Sequence, residues 1–284
     1  MNVQVVTYNM AMGARRTEGK PLASKNEAFE MFVQGFSDQV GTDNVPWFLC
    51  VQEIDRDNNG QNQVEELQKG LERNTGLDWR KHSETRDGGD GEAVAVFSTR
   101  PLEKVQRYDL GNDRRGIAVK AKLAEGQYLW VVTAHLLRGG EDASGDIRTA
   151  EVIELLQRIV TFEPTVPVVF TGDLNVVDPT PGSHSDRVDA DPELYERTMG
   201  RFLRLDFTRG ADFVPTAQDI TSRAWSDTSD ENDVWSIIDY ICVNESGTCS
   251  ALAPSILNFH KLDPSGETIY ASDHKGVKMV IDFP

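Results

Sequence analysis

The sequence predicts an α/β sandwich, with two packed β-sheets and helices on their outer faces. Three observations carry this expectation. Short apolar runs rich in Val, Ile and aromatic residues recur from one end of the chain to the other, and they outnumber helical patterns by about two to one. The two kinds also fail to alternate strictly, as a succession of βαβ units would require.

The apolar runs fall at 3–8, 47–51, 93–97, 117–123, 128–133, 166–170, 237–243 and 277–283. Their lengths and β-branched content are those of strands. The clearest helix is 146–162, where Val152, Ile153, Leu156, Ile159 and Val160 fall on one face. A second, 24–40, presents Ala28, Phe29, Phe32 and Phe36, and a third, 63–74, presents Val64, Leu67 and Leu71. Polar connectors occupy 86–91, 138–145, 178–192 and 226–233. None has the length or bias of an interdomain linker, so residues 1–284 read as a single domain with long loops along one working edge. No internal repeat is evident.

The 284 residues are 39% hydrophobic and 26% charged, a globular composition. Lys and Arg number 29 against 46 Asp and Glu, a net charge of −17. Such a surface repels polyanions and shows no basic nucleic-acid footprint, although Mg²⁺ or Ca²⁺ in a carboxylate-rich cleft reverses the field locally. Solubility is the simpler reading of the acidity. Cys50, Cys242 and Cys249 have no zinc-type spacing and are too few for a disulfide scaffold; a Cys242–Cys249 bridge is left open. No apolar stretch approaches the roughly 20 residues of a membrane span. No signal peptide is seen, and a secreted mature form stays compatible with that. A monomer is expected.

Polar residues sit at the ends of the apolar runs. VVTYN ends in Asn9, FLCVQE in Glu53, WVVTAH in His135, and VVFTGDLN in Asp173 and Asn175, while SDH places Asp273 and His274 just before the last run. If that last strand runs antiparallel to its neighbours, all of these meet at one edge. Asp239 differs, because in SIIDYICV it shares a face with Ile237 and Ile241. A buried carboxylate needs a partner or a raised pKa, and a histidine suits the part; His274 is the candidate.

Taken singly, each of these is an ordinary strand end or turn. As an ordered set, TYN, QE, GEAVAVFS, TAH, GDLN, IDY and SDH resemble the motifs of the endonuclease/exonuclease/phosphatase superfamily over nearly the whole chain. The resemblance implies a four-layer α/β sandwich, with two mainly antiparallel or mixed sheets face to face. It implies a divalent-metal-dependent phosphoester hydrolase in which Glu53 is the main metal carboxylate, helped by Asn9, Asp173 and Asp273. Hard oxygen ligands suit Mg²⁺, with Mn²⁺ or Ca²⁺ as alternatives. Asp173 then readies the attacking water, Asn175 and Asn9 hold the phosphate, and His274, polarised by Asp239, stabilises developing charge. His135 matches the family's second histidine. Glu92 resembles the carboxylate paired with it in deoxyribonuclease I, and Arg115, with Arg114 competing, resembles an arginine that clamps phosphate.

The substrate is less legible. SIIDY differs from the WCDR-type motif of inositol polyphosphate 5-phosphatases, and the segment before it lacks the arginine-rich approach of abasic-site endonucleases. No amphipathic insertion of the kind used for lipid access is visible. Trp225 and Trp235 flank an acidic loop and read as packing at the core edge. The favoured expectation is a nuclease or phosphodiesterase acting on DNA or RNA. A sphingomyelinase-like phospholipase C taking a lipid head group, or a small-molecule phosphatase, is the alternative. An inactive binding module is disfavoured by the intact metal set.

Overall fold

A computed structural model of the chain describes residues 1–10, 25–40, 44–55, 62–85, 91–138, 141–176, 191–204, 213–215, 222–224, 234–236, 239–244, 249–252, 255–262, 264–266, 268–272, 274 and 276–283. In chain order the elements are β1 (Asn2–Asn9), α1 (Lys25–Val40), β2 (Trp47–Asp55), α2 (Gln63–Thr75), β3 (Arg80–Thr85), β4 (Glu92–Ser98), β5 (Leu102–Gly111), β6 (Arg114–Ala124) and β7 (Gln127–His135). There follow α3 (Asp146–Ile159), β8 (Val168–Asp173), α4 (Pro192–Arg204), β9 (Phe213–Pro215), β10 (Ser222–Ala224), β11 (Val234–Ser236) and β12 (Asp239–Asn244). The last are β13 (Ser250–Ala251), β14 (Ser255–Leu257), β15 (His260–Leu262), β16 (Thr268–Tyr270) and β17 (Gly276–Asp282).

Two sheets dominate. One has the order β13-β17-β1-β2-β4-β3, with β14 also on β17; the other has the order β5-β6-β7-β8-β12-β9. Both are mixed: β1 pairs in parallel with β2, and β7 with β8, while the remaining pairings in them are antiparallel. The last strand, β17, is antiparallel to β1, so its start lies at the edge where β1 and β2 end.

Three apolar clusters define four layers. Val3, Val5, Phe48 and Cys50 of the first sheet meet Ile117, Val131, Val169 and Ile241 of the second between the sheets. The other face of the first sheet, with Val6, Tyr8, Leu49 and Val51, packs on Phe32 and Phe36 of α1 and Leu67 and Leu71 of α2. The other face of the second, with Trp130, Val132 and Phe170, packs on Val152, Leu155 and Ile159 of α3 and Met199 of α4. Successive strand residues point to opposite faces, so strands covered on both sides must be apolar throughout, which is why the runs show little alternation.

The three helices expected from periodicity are present. In α3 the buried stripe is Val152, Leu155, Leu156 and Ile159, while Val160 is exposed, because the helix closes at Ile159. α2 is stopped at both ends by local chemistry: the Asn62 side chain accepts from the Glu65 N–H, and Gly76 follows at φ 69° with its N–H on the Glu72 carbonyl. Ten elements were not expected: β3, β5, β9, β10, β11, β13, β14, β15, β16 and α4; of these, β9 to β11 and β13 to β16 have only two or three residues each. β3 and β5 lie at sheet edges and are only partly buried, so they lack an apolar run; α4 is rich in charged residues. All three cysteines are buried thiols, so Cys242 and Cys249 are not bridged. The acidic stretch 226–233 and Trp225 lie outside the described residues, as does the side chain of Trp235. No helix among the described residues is long and apolar enough to cross a membrane.

Candidate active site

The faces that meet between the sheets change character toward one edge. Along β1 the seam face reads Val3, Val5, Thr7, Asn9; along β7 it reads Leu129, Val131, Thr133, His135; along β8, Val169, Thr171, Asp173. β12 runs the other way and reaches Asp239 from Val243 and Ile241. The period of two thus delivers four polar side chains to the same end of the seam. Strand register completes the placement, since Asp173 lies opposite His135 on one side and opposite Asp239 on the other.

β2 is out of phase. Phe48 and Cys50 face the seam, so Gln52 does too, and Glu53 would turn toward the helices. Instead the β2–β4 register shifts between Val51 and Ile54, and Glu53 adopts φ 53°, unusual for a residue with a side chain. That conformation costs about 1 kcal/mol or more and swings the carboxylate into the site. Asn175, just past β8, has φ 50° as well.

The side chains then interlock. The Asn9 amide Nδ2 donates to Glu53 Oε1 at 3.2 Å and to Asp173 Oδ2 at 2.9 Å, one donor spanning both sheets. Arg138 Nη2 also donates to Glu53 Oε1, at 3.1 Å. Burial opposes charge on Glu53, but His135, Arg138, His274 and the Asn9 amide outweigh it and hold the carboxyl down at about 2. Asp173 is pushed up by burial and by Asp239, while His274, His135 and the Asn175 N–H pull the other way. The Asn175 N–H donates to Asp173 Oδ1 at 2.8 Å, and the Asn175 amide donates to the Leu136 carbonyl at 3.0 Å.

Two histidines face this centre. His274 Nδ1 is 2.9 Å from Asp239 Oδ2, which makes Nδ1 the protonated nitrogen and aims Nε2 at Asp173 Oδ2, 3.8 Å away. The His274 N–H is held by Ser272 Oγ, which itself donates to the Asn9 carbonyl. His135 Nε2 lies 3.6 Å from Glu53 Oε1 and 3.7 Å from Asp173 Oδ2, and Arg114 Nη1 is 3.4 Å from its Nδ1. Burial lowers the His135 pKa, with Glu53 and Asp173 opposing and Arg114 and Arg138 reinforcing the fall.

Residues beneath the site keep it in shape. Gln52 Nε2 reaches across the seam to Thr133 Oγ1 at 2.9 Å as well as to Thr7 Oγ1 at 3.1 Å. Gly172 has φ 150°, and a Cβ there would lie 2.1 Å from the Ala134 carbonyl oxygen. The Tyr240 hydroxyl donates to the Val176 carbonyl at 2.7 Å. Buried Arg148 donates to the Asn175 carbonyl and grips Asp142 through side chain and backbone. Glu151 Oε2 accepts the Leu137 N–H at 3.0 Å, fixing the stretch between His135 and Arg138.

Of the residues expected from sequence, Asn9, Glu53, His135, Asp173, Asn175, Asp239 and His274 converge here. Asp273 lies outside the described residues. Glu92 and Arg115 line the adjoining cleft with Glu53, Arg114 and His135. Arg114 stands between Glu92 and His135, 4.0 Å from Glu92 Oε2, and Arg115 is bonded to Asp109. Arg114, the competing candidate for a phosphate arginine, is thus the one beside His135. Arg138, Arg148 and Glu151 were missed. Their one signal is an ionisable residue inside or beside an otherwise apolar pattern.

Asp173, Asp239 and His274 offer ligand atoms all within 4.8 Å of one another, and Glu53 is tied to the same point through Asn9. Carboxylate oxygens predominate, so the donor set fits a hard divalent cation.

A four-layer sandwich with a carboxylate–histidine site at the open end of its seam defines the class. The model of the endonuclease/exonuclease/phosphatase family matches residues 6–274, and the chain belongs to that family, whose members hydrolyse phosphoesters. Among solved structures it resembles a mannosyl-6-phosphatase of Bacteroides thetaiotaomicron VPI-5482, at 15% identity and TM-score 0.68 over 99% of this chain and 100% of that one. A family protein from Leptotrichia buccalis C-1013-b gives 14% identity and TM-score 0.66 over 99% and 100%. TDP2 of D. rerio, complexed with a single-strand DNA product, gives 16% and 0.63 over 99% of each chain. No curated protein matches.

Proposed function

We propose that this protein is a divalent-metal-dependent phosphodiesterase that cleaves nucleic acid by direct attack of water on phosphorus. The observation that carries the reading is the convergence of Glu53, Asp173 and the Asp239–His274 pair around the Asn9 amide. Mg²⁺, or Mn²⁺ or Ca²⁺ in its place, would be held by Glu53, Asn9, Asp173 and Asp273 and would supply charge neutralisation on the phosphate oxygens. Asp173, its pKa raised by burial, orients the attacking water and draws its proton as the oxygen–phosphorus bond forms. Asn175 and Asn9 orient the phosphate. His274, held through Nδ1 by Asp239, would donate from Nε2 as the imidazolium to a non-bridging oxygen on which charge grows. His135 faces the leaving oxygen as the phosphorus–oxygen bond breaks, and Arg115 and Glu92 line the cleft that receives the rest of the substrate.

A second reading, a phosphatase of small phosphoesters, is supported by the likeness to the mannosyl-6-phosphatase. One panel separates the two: supercoiled plasmid, single-stranded DNA, RNA, sphingomyelin, mannose 6-phosphate and a bis-aryl phosphate, each in Mg²⁺, Mn²⁺ and EDTA. The expected result is cleavage of nucleic acid and bis-aryl phosphate that EDTA abolishes and that Glu53→Ala and His274→Ala each reduce at least a hundredfold. Turnover that survives EDTA, or that neither substitution touches, rejects the mechanism. Turnover of mannose 6-phosphate alone replaces the first reading with the second.

A further inference from the structure

We infer that Arg114 is a positioning residue that fixes His135 in the Nε2–H tautomer, so that His135 presents a hydrogen-bond donor to the substrate's phosphoryl group. This rests on the phosphoester-hydrolase reading of the site. A guanidinium has five N–H groups and no acceptor, so at the 3.4 Å contact it can only donate, and His135 Nδ1 must carry a lone pair. The neutral ring's hydrogen then sits on Nε2. Arg114 is itself buried and held in place on both flanks, by Glu92 at 4.0 Å and by Glu141 at 3.6 Å.

A second observation points to what the donor is for. His135 Nε2 is fully buried and has no hydrogen-bond partner among the described residues; the carboxylates it faces, Glu53 and Asp173, stop at 3.6 and 3.7 Å. A buried donor left unmade is unfavourable, and a site that keeps one aimed between two reactive carboxylates keeps it for a ligand. The acceptor that fits is an oxygen on the substrate's phosphorus, the leaving one. The two histidines are therefore set in opposite senses: Asp239, an acceptor, places the His274 hydrogen on Nδ1, while Arg114, a donor, places the His135 hydrogen on Nε2. A carboxylate against His135 Nδ1 would place the neutral ring's hydrogen there and leave Nε2 an acceptor.

Long-range ¹H–¹⁵N spectra of protein labelled at histidine nitrogen read the tautomer directly, with no substrate present. In the wild type and in Arg114→Lys, His135 is expected to show a protonated Nε2 and an unprotonated Nδ1. Arg114→Glu, which replaces a donor with an acceptor, reverses the pattern, and kcat falls about a hundredfold with KM little changed. A wild-type spectrum with the proton on Nδ1 overturns the inference, as does an unchanged pattern in a folded Arg114→Glu protein. If Arg114→Glu does not fold, the wild-type and Arg114→Lys spectra decide. Failure of the hydrolase reading is seen separately, as absence of turnover by the wild type.

Discussion

Glu151 is a nearly inaccessible carboxylate in α3 whose pH response can be worked out in advance. Its Oε2 accepts the Leu137 N–H, and its Oε1 has no hydrogen-bond partner among the described residues. Burial pushes the carboxyl up to about 7, against the pull of the Leu137 N–H, Arg114 and Arg148, with Asp142 adding to the rise. The folded-state pKa lies above that of the unfolded chain, so the stabilisation is complete below about pH 4.5 and is lost as pH rises through about 7. A shift of this size is worth about 3 kcal/mol. Gln has the same shape, keeps an acceptor for Leu137 and never ionises. We predict that Glu151→Gln matches the wild type near pH 4.5 and is more stable by up to about 3 kcal/mol at pH 8. For a chain this long that is about 5 °C in Tm. Paired calorimetric scans at the two pH values measure it, because other groups titrate alike in both proteins and cancel. A Tm difference independent of pH, or a less stable variant at pH 8, would refute the assignment of a buried, mostly neutral carboxyl.

Three further substitutions probe the frame of the site. Gly172→Ala sets a methyl against the Ala134 carbonyl in the neighbouring strand, and a loss of about 3 kcal/mol or more is expected, seen as a lower Tm or a failure to fold. Arg148→Met leaves buried Asp142 without its cation and frees the Asn175 carbonyl; denaturant melts should show about 3 kcal/mol less stability, and kcat should fall about tenfold. Arg138→Gln acts on a half-exposed arm and should leave Tm unchanged. Because Arg138 would compete with a divalent cation for Glu53, Mn²⁺ binding by calorimetry should tighten about threefold, and weaker binding would count against that competition.

The framework of the site was legible wherever side-chain phase agreed with strand period. Asn9, His135 and Asp173 each close a seam face that runs from valines through a threonine at a spacing of two, and Asp239 stands two residues from Ile241 on the same face, so the polar ends of apolar runs were enough to find them. Glu53 obeys no such rule. Periodicity sends it toward the helices, and only its place in an ordered set of motifs identified it; the correction is a backbone bulge that no hydrophobic pattern encodes. Arg114, Arg138 and Arg148 escaped for another reason. A long cationic side chain acquires its partner from whichever strand or loop passes by in three dimensions, so Asp142, Glu53 and His135 could not be assigned to them from spacing. The edge strands β3 and β5 were lost because exposure on a sheet margin removes the apolar signal itself.

The Asn9 amide has a consequence for when the protein becomes competent. Its two acceptors belong to different sheets, and Gln52 makes a second polar crossing directly beneath it. Either sheet alone holds part of the ligand set, at a distance from the rest that nothing within that sheet defines. The geometry of the candidate site is thus a property of the docked pair and is acquired in the same event that expels water from Val5, Phe48, Val131 and Ile241. A partly folded chain, with every strand formed but the seam still wet, would carry all of the chemistry and perform none of it.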